Sequence, residues 1–187
     1  MQTIRFKTSA DFRKWLEKNH TESDGIWLRI SKKDSQETSL TYAEALDQAL
    51  CYGWIDGQKK PFDKFSWLQK FTPRRPRSGW SKINTQHVER LIRAEAMTPA
   101  GMEAVAAAKA DGRWEAAYAS SKSATPPEDF LQELRKNTKA EAFFKTLNKA
   151  NVYAIVYRLE TAKKPETREK RMKTILAMME QGKAFHT

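Results

Sequence analysis

The chain has 187 residues, of which 40% are hydrophobic, including 6 Trp and 9 Phe, so it can form one or two domains with a buried core. Its charged residues make up 30% of the chain and carry both signs, which argues against an intrinsically disordered protein. The formal net charge is +11. Such an excess attracts RNA, DNA, anionic lipid headgroups and phosphorylated metabolites without selecting among them.

Cysteine content and hydropathy exclude several classes of protein. Cys51 is the only cysteine, so no internal disulfide can form, and this fits a reducing compartment. Residues 1–12 contain no apolar segment of the kind found in signal peptides. No window approaches the about 18 consecutive apolar residues of a transmembrane helix. We therefore expect a cytoplasmic protein.

Helix signals in the first half of the chain are clear. Ser9 stands where an N-cap residue is expected, because apolar residues follow it at helical spacing. Thr41 and Glu44 form a capping-box pattern ahead of a second helix. Gly53 stands where that helix is expected to end.

Strand signals lie on either side of this second helix. Alternation of apolar residues predicts strands at residues 26–30 and 65–71, which could pair antiparallel. Asp56 and Gly57 predict a turn, which lies between these two strands in the sequence. Pro73 prevents the second strand from extending much further.

From Asn84 onward, helical periodicity extends to the C-terminus. Thr98 is expected to cap one helix, Thr138 another, and Pro165 is expected to open the last one. Residues 120–127 form a small-residue stretch that ends in proline, and they are the best linker candidate.

These signals predict an α+β fold that is mostly α. We expect an α+β domain at residues 1–119, in which helices pack on a small antiparallel sheet. A helical segment at residues 120–187 is expected to pack on the first domain.

Residues 72–84 carry the strongest functional signal, with the sequence Thr-Pro-Arg-Arg-Pro-Arg-Ser-Gly-Trp-Ser-Lys-Ile-Asn. No acidic residue lies between Asp63 and Glu89. The prolines reduce the entropy lost on ordering, and the planar arginine fork suits phosphate or carboxylate. The sequence therefore predicts an anion-binding site. Its predicted ligand-binding residues are Trp54, Asp56, Arg74, Arg75, Arg77, Ser78, Trp80, Ser81, Lys82 and Asn84.

Asp56 is the sharpest acidic candidate for a chemical role. Turn chemistry alone accounts for Asp at such a position. Alternatively, it orients Arg74 or Arg75, or it acts as a general base. Cys51 is expected near a helix C-terminus, where a core role is favoured over a nucleophilic one. We predict no catalytic residue.

No cofactor or metal is predicted. The chain has no Walker-type or Rossmann glycine pattern, which argues against nucleotide-binding enzymes of those kinds. Its three histidines, His20, His87 and His186, lack metal-binding spacing.

A second basic cluster lies near the C-terminus. Lys164, Arg168 and Arg171 share one helix face at i, i+4 and i+7. This face is either a solvated surface or an extension of the positive surface of residues 72–84.

Four segments together resemble the YdeI/OmpD-associated (OmdA) family, also described as bacteriocin-protection proteins. They are residues 49–57, 71–84, 97–101 and 162–168, and they include Gly-Trp-Ile-Asp-Gly and Thr-Pro-Arg-Arg-Pro-Arg-Ser-Gly-Trp. The resemblance implies a bacterial protein linked to envelope stress and to tolerance of cationic antimicrobial agents. It also implies an indirect link to outer-membrane proteins, and it carries over no catalytic residue.

Three functions are consistent with the sequence. The first is a cytoplasmic binding protein for an anionic small molecule or polyanion, with the ligand at the arginines. Nucleic-acid binding is the second, because basic residues with interleaved tryptophans suit phosphate contact and base stacking. The third is an enzyme that acts on an anionic small molecule with Asp56 as its base.

Overall fold

The computed structural model describes residues 1–119 and 124–186. Internal contacts divide the chain into two compact units. The first comprises Met1–Trp80 and Asn84–Glu115, and the second comprises Ser81–Ile83 and Ala116–Thr187. Of the predicted linker at residues 120–127, residues 120–123 lie outside the described part of the chain.

The described residues form an α+β fold in which helices predominate, as predicted. The first unit holds a sheet and four helices, although α3 begins at the boundary between the two units. Its elements are β1 (Thr3–Ile4), α1 (Ser9–Asn19), β2 (Ile26–Ser31), α2 (Tyr42–Cys51), β3 (Trp54–Pro61), β4 (Ser66–Pro73), α3 (Lys82–Arg93) and α4 (Pro99–Ala110). The second unit consists of α5 (Glu128–Arg135), α6 (Thr138–Phe144), α7 (Lys149–Glu160) and α8 (Pro165–Glu180). No described helix has the length and apolar character needed to cross a membrane.

The sheet has the strand order β1-β2-β4-β3. Strands β2 and β4 pair antiparallel, with Ile26 opposite Phe71, which confirms the predicted pairing. The sheet is nevertheless mixed, because β1 runs parallel to β2. A strand as short as Thr3–Ile4 has no alternation that a sequence pattern could detect.

The turn predicted at Asp56 and Gly57 is wrong, because both residues lie within strand β3. Asp56 is opposite Phe71 of β4, and the register of the pair shifts between Asp56 and Lys59. A bulge of this kind accommodates an extra residue without ending the strand. The Asp-Gly pair therefore marks a bulge rather than a turn.

Several predicted helix boundaries are confirmed. Thr41 caps α2 through a complete capping box with Glu44, and Thr98 caps α4 by accepting a hydrogen bond from the Gly101 backbone. Gly53 follows the end of α2 with a φ of 70°, the left-handed conformation that suits glycine after a helix.

Two predicted caps are wrong by one residue. Thr8, not Ser9, caps α1 and forms a capping box with Asp11. Asn137, not Thr138, caps α6 by accepting a hydrogen bond from the Ala140 backbone. In both places two adjacent residues could serve as caps, so the pattern fixes the helix and not its first residue.

A close junction joins the end of α2 to the beginning of α4. The Cys51 carbonyl accepts hydrogen bonds from the Thr98 backbone N–H at 3.1 Å and from the Thr98 hydroxyl at 2.6 Å. A Cβ at Gly101 would lie 2.2 Å from that same Cys51 oxygen. Only glycine fits there without moving one of the two helices.

We expect Gly101→Ala to destabilise the first unit by about 1–3 kcal/mol, the usual cost of overpacking a tight interface. The free energy of unfolding from urea denaturation measures this effect. Ala107→Ser is the matched control, because it adds one heavy atom at an exposed position of α4 and should change stability by less than about 0.5 kcal/mol. Equal stability of the Gly101→Ala variant and the wild type would contradict the close contact.

The core of the second unit combines apolar residues from all four of its helices. Its fully buried members are Phe130, Leu134, Ala140, Ile155, Leu159, Ile175 and Met179. At its surface, the Arg168 guanidinium donates to both carboxylate oxygens of Asp129 and so joins α8 to α5. This contact holds the pKa of Asp129 below its ordinary value.

The lowered pKa of Asp129 means that its ion pair stabilises the fold fully above the unfolded-state pKa and is lost as pH falls through the folded-state value. Asp129→Asn should therefore cost about 0.5–1 kcal/mol near neutral pH, as expected for an exposed pair. The difference from wild type should shrink toward zero in acid. Denaturation curves collected across pH test this, and a difference that is independent of pH would contradict it.

Candidate functional site

Residues 74–80, here called the arginine turn, follow strand β4. The turn is anchored where the Arg74 backbone N–H donates to the Gly53 carbonyl at 3.0 Å. It is closed by two reciprocal bonds between neighbours: Arg75 N–H donates to the Ser78 hydroxyl oxygen at 3.1 Å, and Ser78 N–H donates to the Arg75 carbonyl at 2.9 Å. Arg75 and Arg77 are exposed at the tip.

Trp80 forms the base of the arginine turn. Its side chain is only 2% exposed, so Trp80, one of the predicted ligand-binding residues, belongs to the core. The Arg74 guanidinium carbon lies 3.4 Å from the Trp80 ring centroid, and Arg74 Nη1 donates to the Gly79 carbonyl at 3.2 Å. Arg74 is thus part of the structure that holds the turn.

Arg113 supports the turn from the end of α4, and sequence reasoning missed it. It is 9% exposed, and its Nη1 donates to the Ser78 carbonyl at 2.9 Å. Its Nε donates to both oxygens of Asp111, at 2.8 Å and 2.6 Å. Nothing in the local sequence indicates that an arginine 35 residues away would contact this turn.

The tip of the turn carries uncompensated positive charge. No described carboxylate forms an ion pair with Arg75 or Arg77, and the preceding strand and the following helix contribute no acidic residue until Glu89. Pro76 separates the two arginines and fixes the backbone between them. The arrangement presents two guanidinium groups to solvent on a braced turn, which suits contact with phosphate or carboxylate.

Two of the predicted ligand-binding residues lie away from this tip. Trp54 is 1% exposed and donates its indole N–H to the His20 carbonyl at 3.2 Å, so it belongs to the core. Asp56 accepts a hydrogen bond from the Tyr42 hydroxyl at 2.8 Å. Burial first, and then the Asp56 charge, raise the pKa of Tyr42. The expected pairing of Asp56 with an arginine is wrong, since no described arginine contacts it.

The last three predicted residues follow the turn in the chain. Ser81 forms an isolated parallel bridge with Tyr118, and the Lys82 backbone N–H donates to the Tyr118 carbonyl at 2.9 Å. These two residues group with the second unit. Asn84 lies in the first turn of α3 and is 9% exposed.

Cys51 occupies the core, as predicted. It is 0% exposed, and burial raises the pKa of its thiol. A thiol that is both inaccessible and hard to ionise is a poor nucleophile.

The three residues of the predicted basic face near the C-terminus have different surroundings in the structure. Lys164 is exposed just before α8, Arg168 is engaged by Asp129, and Arg171 turns toward α7. Arg171 Nη1 donates to the Arg158 carbonyl at 2.7 Å. Sharing a helix face in sequence did not predict these different partners.

The sheet carries a second group of cations, which sequence reasoning did not assign to a site. The Lys59 ammonium lies 4.2 Å from the Trp67 ring centroid, and the Lys60 ammonium lies 4.1 Å from that of Trp27. These pairs arise because β3, a strand that the sequence did not predict, brings its lysines beside the aromatic residues of β4 and β2.

Comparison with protein families assigns both parts of the chain. Residues 4–104 match the model of a domain of unknown function, DUF8412. Residues 123–182 match the OmdA model, described as bacteriocin-protection, YdeI or OmpD-associated. The chain is a member of the DUF8412 family that carries an OmdA domain. This confirms the OmdA resemblance. The chain matches no curated protein and no solved structure.

The two family matches coincide with different structural elements. The DUF8412 match extends from β1 into α4 and includes the whole arginine turn. The OmdA match includes α5, α6 and α7 and extends through α8. The arginine turn is therefore a feature of the DUF8412 part of the chain.

We expect Trp80→Ala to destabilise the protein by about 3–5 kcal/mol, because it removes a buried ring and the surface on which Arg74 stacks. Guanidinium denaturation followed by circular dichroism measures the change. Phe65→Ala is the control, since Phe65 is 48% exposed and its loss should cost much less. Similar costs for both variants would contradict the central position of Trp80.

Proposed function

We propose that this protein binds an anionic ligand at the tip of the arginine turn, through Arg75 and Arg77. The main observation behind this proposal is that two arginines have structural contacts in or beside the turn and two others are exposed. Arg74, within the turn, and Arg113, which follows α4, stabilise the turn, while Arg75 and Arg77 are exposed and have no carboxylate partner in the described structure.

Preorganisation favours this function. Backbone and side-chain hydrogen bonds fix both ends of the turn, and Pro76 limits the freedom of its tip. A ligand that meets an ordered turn has less conformational entropy to remove than one that meets a flexible loop. An anion would also relieve the repulsion between Arg75 and Arg77.

The OmdA domain supports a relationship to bacteriocin protection. Our proposal is that ligand binding at the arginine turn occurs in the cytoplasm and contributes to tolerance of envelope stress and of antimicrobial peptides. Any link to outer-membrane proteins would be indirect.

Nucleic-acid binding is a second candidate, favoured by the lysine–tryptophan pairs on the sheet. Lys59 with Trp67 and Lys60 with Trp27 place ammonium groups beside ring faces. Phosphates could engage the lysines while bases stack on the rings. An enzyme with Asp56 as its base is the weaker alternative, because Tyr42 occupies its carboxylate and no described arginine accompanies it.

Isothermal titration with tripolyphosphate tests the arginine turn. We expect the double variant Arg75→Gln, Arg77→Gln to lose at least about tenfold in affinity, since one charged hydrogen bond contributes about 1.5–3 kcal/mol. Lys7→Gln with Lys18→Gln is the matched control. It removes the same charge from exposed positions of the first unit and should change affinity by less than about twofold.

Equal losses in the two double variants would show that net charge, rather than the arginine turn, attracts the anion, and would overturn the proposal. A labelled single-stranded oligonucleotide, titrated at several salt concentrations, tests the second candidate. Nucleic-acid binding requires affinity that falls steeply with salt and that Lys59→Gln with Lys60→Gln weakens.

A further inference from the structure

The second unit contains a cavity of about 550 Å³ lined by residues of α7, α8 and the segment that follows α8. This volume lies within the range of about 300–1,000 Å³ that is typical of small-molecule sites. Three basic side chains line it, Arg158, Lys170 and Arg171, and no carboxylate is among its described lining residues. We propose that the cavity binds a small organic anion in which a phosphate or carboxylate is attached to a flat apolar body.

Arg171 is positioned to hold the anionic group. Its Nη1 donates to the Arg158 carbonyl at 2.7 Å and lies 3.4 Å from the Thr161 hydroxyl. These contacts fix the guanidinium at the end of α7. Both contacts use the same nitrogen, Nη1. The guanidinium has several other N–H donors, which can form a paired contact with phosphate or carboxylate.

The aromatic side of the cavity is formed around Phe185. The Arg158 guanidinium carbon lies 3.8 Å from the centroid of the Phe185 ring, and Arg158 Nη1 donates to the Ala154 carbonyl at 3.0 Å. Tyr157 and Ile175 also line this region. A flat apolar group would contact these side chains while its charged end remained near the cations.

Lys170 and Thr167 complete the polar side of the cavity. Lys170 is exposed on α8, and Thr167 lies within one turn of it on the same helix. No described residue forms a hydrogen bond with the Thr167 hydroxyl. An ammonium and a hydroxyl at this spacing could both donate to one anionic group.

The two basic residues of α8 that line the cavity differ in their partners from the other two basic residues of the same helix. Arg168 is paired with Asp129, and Lys173 is paired with Glu169 on the same helix. Lys170 and Arg171 instead line the cavity, where no described carboxylate compensates them. Mutual repulsion among three cations there is a cost that a bound anion would offset.

Titration calorimetry with 1-naphthyl phosphate tests the proposal in the intact protein. Inorganic phosphate supplies the charge alone, 1-naphthol supplies the ring alone, and 1-naphthoate replaces phosphate with carboxylate. We expect 1-naphthyl phosphate or 1-naphthoate to bind at least about tenfold more tightly than either partial ligand, since charged hydrogen bonds and apolar burial both contribute. The better of the two identifies the anionic group.

Lys170→Gln should weaken that binding by about tenfold through the loss of one charged hydrogen bond. Lys173→Gln is the matched control, because it removes the same charge from the same helix outside the cavity. Phe185→Leu should weaken 1-naphthyl phosphate and leave inorganic phosphate unchanged. Circular dichroism establishes that each variant is folded.

Two results would overturn the inference. One is that neither 1-naphthyl phosphate nor 1-naphthoate binds more tightly than inorganic phosphate and 1-naphthol, and the other is an equal effect of Lys170→Gln and Lys173→Gln. The double variant Arg75→Gln, Arg77→Gln should leave this binding unchanged. The cavity and the arginine turn can therefore fail independently.

Discussion

The architecture of the first unit depends on the short connection that leaves α2. The Cys51 carbonyl, at the end of this helix, receives two hydrogen bonds from Thr98 and so fixes the start of α4. Two residues later, the Gly53 carbonyl receives the N–H of Arg74 and fixes the start of the arginine turn. Strand β3 begins at Trp54, the next residue. One tight connection thus sets the positions of a helix, a strand and the candidate site.

This connection explains why several residues of the segments 49–57 and 97–101, which lie within the DUF8412 match, are needed for structural reasons. Gly53 adopts a positive φ, and Gly101 lies against the Cys51 carbonyl, where a Cβ cannot fit. Thr98 supplies both a helix cap and a bond to the preceding helix. These residues build the fold around the arginine turn, so their presence in a recognisable motif carries no information about chemistry.

The sequence predicted those features that local interactions determine. The capping box at Thr41 and the alternation in β2 and β4 involve residues that are close in the chain or lie on one element, and both were correct. Strand β3 was missed because an Asp-Gly pair is typical of turns, whereas the tertiary pairing with β4 imposes a bulge. The support that Arg113 gives to Ser78 has no local signal at all.

Arginine content is a poor guide to where an anion binds, because the structure assigns this residue type to different tasks. Arg74 stacks on Trp80, Arg113 satisfies the Ser78 carbonyl, and Arg168 pairs with Asp129. Within the arginine turn, Arg75 and Arg77 are the arginines that remain exposed without such a structural role. A comparison of partners also distinguishes Lys170 and Arg171, which line the cavity, from their paired neighbours on α8. A positive net charge therefore becomes informative when each cation is matched with its partner, since the unmatched ones are where an external anion gains most.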